Sequence, residues 1–96
     1  MNSTTYNAAM MDAETGGSAN YAFEASVDLL ELPVNNIVDA FIKHLDSEGI
    51  YPSPMSCQLD SAIVKKDKRI MLATGSLILS RGEIPFLLMI SPKIRQ

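Results

Sequence analysis

The sequence predicts an α+β fold of order β-α-β-β-β, with one amphipathic helix packed on a mainly antiparallel four-stranded sheet. Three observations carry this. Residues 20–32 alternate apolar and polar with period two. Pro33 then opens a stretch whose apolar residues recur at helical spacing. Two long apolar runs, 69–80 and 83–91, flank Arg81 and Gly82, and an X-Gly pair between such runs signals a β-hairpin.

Residues 1–18 are mostly small and polar, without a steady period, and Gly16 and Gly17 interrupt them. They are expected to form a flexible N-terminal tail, with Tyr6, Met10 and Met11 as anchors if the tail orders on a partner. The single domain is expected to span 19–92, followed by a basic C-terminal tail, 93–96. In the first strand Tyr21, Phe23, Ala25, Val27 and Leu29 share one side, and Glu24, Ser26 and Asp28 the other.

In the helix, Val34, Ile37, Val38, Phe41, Ile42 and Leu45 make one stripe. Pro33 suits the first turn, where its missing N–H loses no intrahelical bond. Asp39 and Lys43 form an i,i+4 pair in the favourable order, and Gly49 suits the left-handed position after the last turn. Tyr51, Pro52, Ser53 and Pro54 then end the helix. The second strand, 56–65, has sides Cys57, Leu59, Ser61, Ile63 and Gln58, Asp60, Ala62, Val64, and neither is clearly the inner one.

A turn at Arg81 and Gly82 would set Leu79 opposite Ile84, Leu77 opposite Phe86, Gly75 opposite Leu88 and Ala73 opposite Ile90, a wholly apolar row destined for the core. Gly75 is expected to mark a bulge or a close approach by the helix, and Pro85 an unpaired edge. The other face of the hairpin is also apolar, with Ile70, Leu72, Ile78, Leu87 and Met89. An antiparallel sheet with one wet face should alternate more sharply, and one helix covers only one face. These five residues are therefore the expected partner interface, closed by the N-terminal tail or by a second molecule, with a homodimer as the expected state.

The net charge of −3 is unevenly spread: residues 1–60 hold nine acids and one base, residues 61–96 seven bases and two acids. Lys65, Lys66, Lys68, Arg69, Lys93 and Arg95 should gather at one end of the sheet as a possible anion-binding pole, the basis of an alternative, nucleic-acid-associated function. No aromatic residue joins that pole to stack a base. The acidic helix face and first strand suggest contact with a basic surface. His44 with Glu48 one turn later, and Cys57 after the proline-rich loop, are the residues a small enzyme would use, yet each has an ordinary structural role, and no catalytic residue is assigned. No metal-ligand cluster and no phosphate loop is present, so no cofactor or metal is expected. The one cysteine excludes an internal disulfide. The longest apolar run, 84–90, has 7 residues, against the roughly 20 of a membrane helix. With no leader-like start, a cytoplasmic location is expected. The leading expectation is a small non-enzymatic interaction protein, acting as regulator, inhibitor or adaptor of a larger protein.

Overall fold

The computed structural model describes residues 3–52 and 54–93. Among them five strands form one antiparallel sheet, with a single α-helix on one face. The strands are β1 (Thr4–Asp12), β2 (Ser18–Ala25), β3 (Met55–Lys65), β4 (Ile70–Leu79) and β5 (Gly82–Pro92), with α1 (Val34–Ser47) between β2 and β3. Their spatial order is β2-β1-β5-β4-β3.

The fifth strand is the main departure from expectation. Much of the expected flexible tail is β1, which pairs with β2 on one side and β5 on the other. Tyr6, Ala8 and Met10 alternate into the core. Two ladders and three buried side chains outweigh a share of Asn, Ala and Asp that promises little strand by itself. The loop to β2 is locally determined: the Asp12 carboxylate accepts from the Thr15 backbone N–H at 2.8 Å and from its hydroxyl, and Gly16 supplies φ 72°. Thr15 thereby holds the Asp12 carboxyl below its usual range. Glu14 accepts two hydrogen bonds from the Arg81 guanidinium, which ties this loop to the β4–β5 turn.

β2 is shorter than the expected strand. It stops at Ala25, and Asp28 caps a single 3-10 turn, Leu29–Glu31, by accepting from the Leu30 N–H at 3.2 Å. Leu29 and Leu30 are buried there, whereas Val27, expected on the inner side, is exposed. The buried Leu29 N–H donates to the Tyr6 hydroxyl at 3.1 Å, joining the turn to β1.

The helix follows its sequence signals. Ile37, Val38, Phe41, Ile42 and Leu45 are buried, and Lys43 lies 3.4 Å from Asp39. Gly49, at φ 67°, closes the C-terminus. The Ile50 N–H donates to the Leu45 carbonyl at 3.2 Å and the Gly49 N–H to Asp46 at 3.1 Å, the paired bonds of a Schellman motif.

β3 shows why its inner side could not be read. The register with β4 shifts between Leu59 and Ser61. Before this bulge Met55, Cys57 and Leu59 lie opposite Leu79, Leu77 and Gly75; after it Ala62 and Val64 lie opposite Ala73 and Met71. One extra residue thus moves the inward parity from odd to even positions. Gly75 meets this bulge rather than the helix: a Cβ there would sit 2.3 Å from the Gln58 carbonyl oxygen.

The β4–β5 hairpin turns one residue earlier than expected, at Ser80 and Arg81, so Leu79 lies opposite Gly82 and Leu77 opposite Ile84. The pairing moves by two positions, which keeps every side chain on its expected face. β5 is the middle strand. Pro85 is tolerated because the β1 ladder closes at Asp12 and Phe86, and its carbonyl still accepts from the Ala13 N–H at 3.0 Å.

Candidate protein interface

The inner face of the sheet and α1 share one core, in which Tyr6, Phe41, Leu77, Leu88 and Ile90 are fully buried. Aromatic contacts link its layers: Phe23 lies 5.9 Å from both Tyr6 and Phe41, centroid to centroid. Among the described residues no buried side-chain polar atom lacks a partner.

The opposite face carries no covering element among the described residues. Met11 (53 % exposed), Ile63 (53 %), Leu72 (37 %), Leu87 (45 %) and Met89 (36 %) stand on it. The register makes them neighbours. Ile63 lies opposite Leu72, Leu72 opposite Met89, and Met89 opposite Ala9, one row across four strands. The next row runs Ser61, Thr74, Leu87, Met11 and Ser18. A hydrogen bond of 2.7 Å between the Ser61 and Thr74 hydroxyls satisfies the polar pair within it. A shallow hollow of ≈ 200 Å³ opens between Ile63, Leu72, Thr74 and Leu87.

Of the five expected interface residues, Leu72, Leu87 and Met89 form the centre of this patch. Ile70 and Ile78 are half-buried at its two ends, Ile70 opposite Lys65 and Ile78 opposite Glu83. Met11 and Ile63 also belong to it. Both were missed, Met11 because its segment read as a tail, and Ile63 because the bulge hides which side of β3 is which. Among the described residues the N-terminal segment does not close over the face; as β1 it widens the sheet by one strand.

The chain matches no protein-family model and no curated protein.

The basic pole is partly neutralised. Arg69 lies 3.1 Å from Asp28 and Lys66 3.5 Å from Glu31, both acids belonging to the connection between β2 and α1. The Arg69 hydrogen bond holds the Asp28 carboxyl below its ordinary range, and Asp28 in turn raises Arg69. Lys65, Lys68 and Lys93 make no ion pair among the described residues. Arg95 lies outside the described residues.

His44 and Cys57 are not brought together. The His44 ring stacks on Phe23 of β2, with centroids 5.7 Å apart and planes at 28°. Cys57 lies on the β3 flank of the helix, in a trough with Val38, Asp39 and Ile42. Burial raises the Cys57 thiol, and the charges of Asp39 and Asp60 raise it further, the reverse of what a thiolate nucleophile needs. Among the described residues no group of three His, Cys, Asp or Glu is placed to hold a metal, and no helix is long and apolar enough to cross a membrane.

Proposed function

We propose that this chain is a small non-enzymatic protein-interaction module, a regulator, inhibitor or adaptor, whose open sheet face docks onto a larger protein. The observation that carries the reading is the row Ile63, Leu72, Met89 and its neighbours Leu87 and Met11, contiguous across four strands without a covering layer among the described residues. Full burial of one such side chain stabilises by roughly 1.5–3 kcal/mol relative to water, so a complementary apolar surface gains from covering several together. Contiguous apolar patches of this kind mark interaction sites more often than they remain wet.

The test is capture of partners from the source cell with the native chain and with Leu87→Asp. A charge at the patch centre should abolish recovery while the circular dichroism spectrum stays native; undiminished recovery refutes the reading. Self-association through the same face, expected from the sequence, is the competing occupancy. Light scattering separates the two, because a face-to-face homodimer would fall to monomer mass in Leu87→Asp.

A further inference from the structure

A second surface without a partner among the described residues is the outer edge of β3, the last strand in the sheet order. Its two halves differ. Residues 60–65 carry the bulge, Asp60 and Lys65, features that blunt an edge against strand addition. Residues 55–59, Met-Ser-Cys-Gln-Leu, carry no charge and no proline. Beside them lies a trough of ≈ 1210 Å³ bounded by α1, β3 and the end of β2. Met55, Cys57 and Leu59 stand along it at alternate positions, half-buried, and Val38 and Ile42 form its helix side.

The lip of the trough is acidic. Glu24 and Asp39 line it, and Asp60 follows at the bulge; Lys43 is its one lining base and is spanned to Asp39. Burial raises the Cys57 thiol at the floor, and the charges of Asp39 and Asp60 push it the same way. An uncharged strand edge beside an apolar trough is the arrangement that accepts an added strand: main-chain hydrogen bonds supply affinity and alternate side chains enter the groove. Five strand residues extend about 17 Å, enough for three inward-facing positions.

We propose that residues 55–59 of β3 take up an extended peptide segment of a partner protein as a sixth strand. An apolar side chain of the segment covers the trough floor. A Lys or Arg two residues away on the same side lays its stem along Ile42 and its charge against the acidic lip. The segment is thus of alternating type, basic–x–apolar–x–basic. This surface is separate from the open face, and the inference does not rest on that face docking a partner.

The test is a nuclear magnetic resonance titration of the ¹⁵N-labelled full chain with the capped peptide Lys-Thr-Val-Thr-Lys. Saturable shifts should appear at amides 55–59 and along 35–43 of α1. The capped peptide Glu-Thr-Val-Thr-Glu, and the lysine peptide N-methylated at every backbone amide, should each bind at least about tenfold more weakly. Asp39→Asn should weaken the lysine peptide by about threefold to fivefold, and Leu87→Asp should leave its titration unchanged. The proposal is overturned by equal binding of the glutamate peptide, by equal binding of the methylated peptide, by loss of the shifts in Leu87→Asp, or by no saturable shift at 55–59 with any peptide.

Discussion

Leu87 and Leu88 are adjacent in β5 and meet opposite surroundings. Leu88 is fully buried in the core that α1 closes, whereas Leu87 is 45 % exposed on the other face. The same contrast holds along the whole sheet. Met71, Ala73, Leu77, Ile84 and Ile90 are buried on the inner side, while Leu72, Met89 and Ile63 are as apolar by type but stay at the surface. Period-two patterning normally separates core from solvent in a sheet with one covered face. Here the inner parity is apolar except for Thr4 and Asp12 at the two ends of β1, and the outer parity is only half polar. The difference teaches that the two parities answer to two demands. One is the fold's own core, and the other, in the reading proposed above, is a layer supplied by another protein.

The comparison breaks most visibly if the inner face proves dispensable. Phe41→Ala should lower stability by about 3–5 kcal/mol in urea denaturation, a large share of the roughly 5–15 kcal/mol of an ordinary domain. Gly75→Ala should cost about 1–3 kcal/mol, since its Cβ would press on the Gln58 carbonyl at 2.3 Å and that backbone must move. Tyr6→Phe should cost about 1–3 kcal/mol by leaving the buried Leu29 N–H without its acceptor. Leu87→Asp, on the outer face, should cost about 1–2 kcal/mol, since Leu87 is already 45 % exposed and a strand disfavours Asp. If it destabilises as much as Phe41→Ala, the two faces are not distinct in the way described.

The smallest expected effect concerns the link between the β2–α1 connection and the β3–β4 turn. The Arg69 hydrogen bond depresses the Asp28 carboxyl in the folded state. The stability this contributes is therefore present above the ordinary carboxylate value, about 3.9, and is lost as pH falls through the lower, folded value. Both side chains are more than two-fifths exposed, so the contribution should be under about 1 kcal/mol and should shrink in high salt. Asp12 and Glu14 are shifted the same way, so Arg69→Ala should remove only part of the acid-side slope measured by denaturation between pH 5 and pH 2.

Much of the fold was legible because its signals are local. The helix carries its own stripe, its proline start and its glycine end; the stripe and Gly49 stand where spacing placed them, and Pro33 stands just outside the first turn, at the N-cap. The β4–β5 hairpin was legible in its faces but not in its turn, because moving the loop by one residue moves the pairing by two and leaves the parity intact. The tail and the inner side of β3 were not legible. β1 owes its existence to neighbours far away in sequence, namely Phe23 beside Tyr6 and Leu88 opposite Met10. In β3 the bulge reverses parity midway, which period-two reading averages to no preference. The candidate interface divides in the same way: Leu72, Leu87 and Met89 were found from the hairpin alone, while Met11 and Ile63 needed the register.

By itself the sequence determined that one amphipathic helix would cover one face of an antiparallel sheet and that the other face of its central hairpin would stay apolar. These follow from periodicities of two and 3.6, which are properties of short segments. Only the tertiary structure decided that a fifth strand enters between β2 and β5, that Asp60 is the residue at the bulge, and that Lys66 and Arg69 are drawn off the basic pole by Glu31 and Asp28. Strand order, bulge position and ion pairing depend on which distant segments meet, and no local pattern records that.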